Sequence, residues 1–264
     1  QEWSRFDQSK LDESELRQIF DSYFGIFPWE TLPADAVGFD LGCGSGRWAQ
    51  LVAPRVGTLV CVDASADALE VAKRNLSGNP NCDFVCASVE SFQAPNGSMD
   101  FGYSLGVLHH IPNPFEGIKA CVEKLKAGAP FLIYLYYAFD NQPGWFRVIW
   151  KASDILRSMV SALSEKPRNF ACDVIAATVY FPLARTARML EKLGMNVKSV
   201  PLSIYRDKTF YTMRTDALDR FGTPLEFRFT RSEIQSMLSE AGLEDIKFSE
   251  SMPFWCAVGT RKAE

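Results

Sequence analysis

No stretch of the chain reaches the roughly 18 consecutive apolar residues that a membrane-crossing helix needs, so no span is expected. Basic charge is also short. Against 32 Asp and Glu stand 28 Lys and Arg, and the formal charge of −4 argues against a broad electrostatic grip on nucleic acid. The seven cysteines are scattered, odd in number and never spaced C-x-x-C, which reads as a reduced, cytoplasmic chain without a structural metal. The opening QEWSRFDQSKLDESEL is polar and acidic, unlike a secretory leader. Histidine is the scarcest of the catalytic residue types: only His109 and His110, side by side.

What is present suffices for a sizeable core, with 47% hydrophobic residues in 264. From Ala36 to Tyr137, short apolar runs (AVGFDLG, GTLVCVDAS, CDFVCAS, MDFGYSLGVL, PFLIYLYYA) alternate with amphipathic segments such as ADALEVAKRNL and PFEGIKACVEKLKAG. That rhythm predicts an α/β fold, a doubly wound, mainly parallel sheet covered on both faces. Beyond Phe139 the rhythm stops. Two long helical stretches follow, the second containing Pro182, and then SIYRDKTFYTMRTDALDRFGTPLE, whose mixed charges suggest a polar network instead of a plain helix. TRSEIQSMLSEAGLEDIKF predicts a helix with Thr230 and Glu233 in capping-box spacing, and FWCAVGTRK a closing strand.

The glycines of VGFDLGCGSGRWA stand where a doubly wound sheet binds its ligand, at the end of a strand. Their order is Gly42-x-Gly44-x-Gly46, with Arg47 at the third glycine position of a dinucleotide fingerprint and Asp40 just ahead. A ligand with adenosine at one end and an amino acid at the other suits this better than a pyrophosphate. Its carboxylate can use the helix that follows the loop, its ammonium Asp40, and its ribose hydroxyls Asp63 at the end of the second strand.

Together DLGCGSG, VDAS, CASVESF, MDFGYSLGVLHHI and LKAGAPFLI resemble the class I S-adenosylmethionine-dependent methyltransferases over residues 36–137 and, more weakly, 227–262. The resemblance implies S-adenosyl-L-methionine as cofactor, with S-adenosyl-L-homocysteine as product. It gives the methionine side to Gly42, Cys43, Gly44 and Gly46 and the ribose to Asp63. Ala64, Ser88 and Val89 fall to the adenine, and Leu105 to the sulfonium region. Ser88 stands where many relatives have Asp. The segment before the first strand is expected to fold over the site, with Tyr23 and Trp29 meeting substrate.

His109, His110 and Tyr136 are the candidate catalytic side chains, since a neutral imidazole can take a proton near pH 7. In the non-family segment, Arg206, Tyr211 and Arg214 are candidates for an anionic acceptor, two-point arginine forks being suited to carboxylate or phosphate. The same arginines can equally pair with the aspartates among them. The expected organisation is an N-terminal helical lid segment (1–35), a cofactor-binding core (36–138 and 227–264) and an inserted, mainly helical, substrate-binding cap (139–226). The expected activity is methyl transfer to O or N of a small-molecule acceptor. The rival readings are a lipid-like acceptor met at a membrane surface through the apolar helix near Trp145, an NAD-dependent oxidoreductase, and a silent cofactor-binding protein.

Overall fold

The computed structural model describes residues 13–197, 200–223 and 225–263; the first twelve residues of the expected lid segment lie outside the described residues. Two compact units emerge, one formed by Phe139–Glu226 and the other by the residues flanking it on both sides.

The flanking residues build a seven-stranded sheet. In chain order they form α1 (Glu13–Phe24), β1 (Val37–Leu41), the one-turn α2 (Ala49–Val52), β2 (Thr58–Asp63), α3 (Ala66–Asn75), β3 (Cys82–Cys86), β4 (Phe101–Leu105), α4 (Pro114–Lys124) and β5 (Pro130–Tyr134). With β6 (Leu243–Phe248) and β7 (Ala257–Arg261) added after the second unit, strand order is β3-β2-β1-β4-β5-β7-β6, parallel through β5. Period-2 alternation explains the two-sided burial. Phe101, Tyr103 and Leu105 of β4 pack with Phe20 and Phe24 of α1, while Phe39 and Leu41 of β1 pack on the opposite face with Ile118 and Val122 of α4. Between β1 and β4, Gly38 sits opposite the ring of Phe101 and Gly102 opposite that of Phe39, each glycine leaving the space that one ring fills.

Helix α3 begins where Ser65 accepts from the Ala68 amide, and α4 where Asn113 accepts from Glu116 with Pro114 in the first turn. After the second unit, the expected capping box is present at Thr230 and Glu233 and opens α9 (Arg231–Glu240). Helix does not continue through AGLEDIKF, as the sequence suggested. Gly242, at φ +96°, ends it, and Leu243–Phe248 runs as a further strand, β6, antiparallel to β7 (Ala257–Arg261). β7 in turn runs antiparallel to β5.

The second unit is helical: α5 (Gly144–Ser161), α6 (Glu165–Ile175), α7 (Phe181–Lys192) and α8 (Phe210–Gly222). The helical stretch expected around Pro182 is continuous: α6 passes through a π-turn at Ala176–Tyr180 into α7 with helical backbone at both joints, and the bulge accommodates the amide that proline lacks. The segment expected to be a network instead of a helix contains α8, capped by the Thr209 hydroxyl accepting from the Thr212 amide.

Candidate active site

β1 and β4 are sheet neighbours while β2 and β5 lie outside them, so the chain changes winding direction between β1 and β4. Ligands of such sheets bind at the C-terminal strand ends at that place. There the glycine loop lies beside the turn leaving β4: a Cβ on Gly42 would come 2.3 Å from Cγ2 of Val107, and one on Gly46 2.8 Å from Cδ1 of Leu76. Both glycines have φ near +80°, which L side chains rarely adopt. Gly42 and Cys43 donate their amides to the Val62 carbonyl, at 2.7 and 3.0 Å, tying the loop to β2.

Asp63 closes β2 with both carboxylate oxygens engaged, accepting from the Gly44 amide at 2.9 Å and the Ser65 amide at 2.8 Å. It holds the loop and stands at the strand end in one position. The hydroxyl of Ser45, wholly buried in this loop, has no hydrogen-bond partner in the protein, so the cradle carries a spare polar group, while the missing side chains of Gly42 and Gly46 let Val107 and Leu76 pack directly against its backbone. A small adenosyl ligand with a polar end fits such a cradle. The helix that the sequence offered to its carboxylate is another matter. Pro54 turns the chain into a 3-10 turn at Ala53–Arg55, leaving α2 a single turn, and the Gly44 amide is already given to Asp63.

Asp40 differs from its sequence reading in charge. Its carboxyl is 1% exposed and accepts from the Tyr103 hydroxyl at 3.0 Å. Burial pushes it up to about 8, against the hydrogen bond from Tyr103, with Asp63 nearby adding to the rise. At neutral pH it is mostly protonated, so the negative charge that was to welcome an ammonium is largely absent. Between its ordinary value near 3.8 and about 8, the folded chain holds a proton that the unfolded chain releases. Stability therefore falls as pH rises through that window and levels off above it. Asp40→Asn keeps an acceptor for Tyr103 and removes the titration. The melting temperature of the wild type should drop relative to this variant between pH 5 and 8 in a fluorimetric melt series. A constant difference would place the carboxyl's titration elsewhere.

The candidate catalytic rings lie together. His109 stacks on Tyr136 with centroids 3.8 Å apart and planes at 28°, His110 lies 4.0 Å from His109, and Tyr136 is 5.5 Å from His110. The 3-10 turn Leu108–His110 presents the histidines just past β4, and Tyr136 follows β5 next door. His109 is fully buried, and neither ring nitrogen has a hydrogen-bond partner in the protein. Burial, with like charge from His110 and Arg228, holds its imidazole well below the usual histidine range, hence neutral. His110 is half-buried.

Arg228, which the sequence reading did not single out, lies over the Tyr136 ring at 4.9 Å and donates to the Tyr137 carbonyl at 3.3 Å. Its neighbours fix it. The Phe229 amide donates to the Tyr136 carbonyl and the Ala138 amide to the Phe229 carbonyl, both at 2.8 Å, and the Phe227 amide donates to the His109 carbonyl at 2.9 Å.

Other candidates are placed less pointedly. Tyr23 packs on Trp48 and edge-on to Tyr134, 5.0 and 5.1 Å away, near the strand ends. Trp29 is instead taken up by Phe20, Phe24 and Phe27, with Arg55 4.8 Å from its ring. The Ser88 hydroxyl is within hydrogen-bond distance of Ser91 and Glu90 in its own tight turn, where Val89 is half-buried. Ala64 follows Asp63 directly, and Leu105 is buried at the end of β4. In the helical unit, Arg214 forks onto both oxygens of Asp173 at 2.9 and 3.0 Å. Arg206 pairs with Glu191 at 2.7 Å, and Tyr211 stands in the first turn of α8. The arginines thus hold carboxylates of α6 and α7 in their own unit, Asp173 and Glu191, which lie outside the segment whose aspartates the sequence offered as partners. Among the described residues no group of three or more His, Cys, Asp or Glu is arranged to hold a metal ion.

Residues 39–133 match the family described as "Methyltransferase domain". A ubiquinone biosynthesis O-methyltransferase of Idiomarina loihiensis is 31% identical over 120 residues, 44% of this chain and 48% of that one. One of Escherichia coli O157:H7 is 29% identical over 150 residues, 56% and 59% of the two chains. The chain thus spans about half the length of these curated relatives. A solved SAM-dependent methyltransferase of Methanosarcina mazei shares the fold, with TM-score 0.55 at 15% identity over 90% of this chain and 99% of that one. The matched domain runs from β1 to β5 and contains the glycine loop, Asp63 and the histidine pair; residues 39–133 are thus a methyltransferase domain, built on the fold of the class I S-adenosylmethionine-dependent methyltransferases.

Proposed function

We propose that this protein transfers the methyl group of S-adenosyl-L-methionine to a hydroxyl oxygen of a small-molecule acceptor, with a nitrogen acceptor as the second possibility. The observation that carries the reading is one site: the glycine cradle braced by Asp63 lies next to a turn that ends in a cluster of two imidazoles and a phenol. The names of the O-methyltransferase relatives favour oxygen.

Gly42, Cys43, Gly44 and Gly46 would hold the methionine end of the cofactor and Asp63 its ribose, with Ala64, Ser88 and Val89 along the adenine and Leu105 near the sulfur. When bound, the cofactor supplies a methyl carbon already activated on a sulfonium. What remains for the protein is to aim the acceptor and receive one proton. As methyl carbon bonds to oxygen, the acceptor's O–H proton must leave. His109, neutral across the physiological range, can accept that hydrogen bond without first losing a proton of its own. His110, half-buried beside it, can pass the proton outward. Tyr136 holds the His109 ring by stacking, and Arg228 lies over the Tyr136 ring. Arg206 and Arg214 play no part in this reading because their forks are filled, so nothing in it requires an anionic acceptor.

The test is to incubate the protein with methyl-labelled cofactor and the low-mass fraction of a bacterial extract. Enzyme-dependent label in a small product is expected. Tight binding of S-adenosylhomocysteine with no transfer to any fraction would favour a silent binder, and heat protection by NADH alone would favour an oxidoreductase.

A further inference from the structure

Helix α5 has two faces that both look like an inside. Its inner face carries Arg157 and Val160, which are buried, and Asp154, whose carboxylate accepts from Arg157 at 2.6 Å. At 100° per residue, Trp145, Val148, Ile149, Ile155, Leu156 and Met159 fall on the opposite side in one stripe about 120° wide. All six are exposed, Val148 and Ile155 to 68% and Met159 to 66%. Monomeric soluble domains rarely leave so long an apolar stripe uncovered.

The charges beside it indicate what covers it. On the same wheel the exposed Lys151 borders the stripe just beyond Ile155, the exposed Arg147 is the next charge round, and the helix's single acidic residue, Asp154, lies farthest from the stripe, where it accepts from Arg157. Residues 139–226 hold 13 Lys and Arg against 9 Asp and Glu, a net of +4, so the rest of the chain stands at −8. A second copy pairing stripe to stripe would bring cationic borders together without an acidic partner. An anionic surface meets them with opposite charge. We propose that α5 lies flat on an anionic lipid bilayer, its apolar stripe entering the headgroup boundary, Lys151 at its edge contacting the phosphates and Arg147 behind it adding to the attraction. At 18 residues it is roughly 27 Å long. No helix among the described residues is long and apolar enough to cross a membrane, so the contact is a surface one. This goes beyond the proposed reaction and holds whether or not methyl is transferred.

The test uses the full chain and flotation with vesicles, one set of phosphatidylcholine alone and one with about 30% phosphatidylglycerol. The wild type should float with the anionic set and lose that binding in high salt, while Trp emission shifts to the blue. The double variant Val148→Glu, Ile155→Glu, at two exposed positions, should bind at least about tenfold more weakly with an unchanged melting temperature. Arg147→Glu with Lys151→Glu should remove the preference for anionic vesicles. Absence of flotation by the wild type would overturn the proposal, as would full binding by the first variant. A dimer in sedimentation velocity that the first variant dissolves, without any vesicle binding, would assign the stripe to a second copy and overturn it equally.

Discussion

Asp63→Ala should weaken binding of S-adenosylhomocysteine by on the order of 10²–10³-fold, the largest loss expected from any single change in the cofactor cradle. A hydrogen bond to a charged group contributes about 1.5–3 kcal/mol, and a carboxylate at this strand end can accept one from each ribose hydroxyl. The same carboxylate now accepts from the amides of Gly44 and Ser65, so its removal also leaves the loop amide of Gly44 without a partner. The two contributions separate in Asp63→Asn, which retains one acceptor oxygen for Gly44 while losing the charge and the second acceptor. Calorimetric titration should place this variant between wild type and Asp63→Ala. Equal affinity in all three would sink the ribose assignment. An affinity restored fully by Asn would mean that the residue acts only by bracing the loop.

How much of this the sequence carried depends on the range of the interactions. The loop between β1 and α2 was legible because strand, glycines and turn are neighbours in the chain, and a positive φ at Gly42 leaves few residue choices. The capping box at Thr230 was legible for the same reason. Arg228 was not, because only pairing between residues 227–229 and 136–138, some ninety positions apart, brings it to Tyr136. Helix α8 resisted because its charged residues obscure an apolar pattern: Arg214 is answered by Asp173, 41 positions away on α6, which no local window contains. Asp40 shows a different limit. Its identity was plain, yet its charge at pH 7 is set by burial, and the depth of β1 in the sheet is a property of the finished fold. β6 was read into the preceding helix because its alternation is weak on an edge strand with Glu244, Asp245 and Lys247 in six residues.

His109→Phe should change stability and activity in opposite directions. In the wild type the imidazole is wholly buried with both nitrogens unpartnered, and a buried polar atom left unmade costs about 1–3 kcal/mol. A phenyl ring can keep the 3.8 Å stack on Tyr136 without that penalty, so the variant should melt at or above the wild-type temperature near pH 7. The pH dependence sharpens the point. An imidazole held below its ordinary 6.5 binds fewer protons folded than unfolded. Its stability contribution is present above that value and is lost as pH falls through it toward the folded value. The variant should lose that acid sensitivity. If His109 receives the acceptor's proton, transfer should meanwhile fall by roughly 10²-fold or more with S-adenosylhomocysteine affinity unchanged. A stabilised variant with undiminished turnover would make the ring a packing residue and move the proton-accepting role to His110. A variant that both melts earlier and turns over slowly would make the stack on Tyr136 dependent on imidazole itself, and the rate loss would then report misfolding of the turn at Leu108–His110.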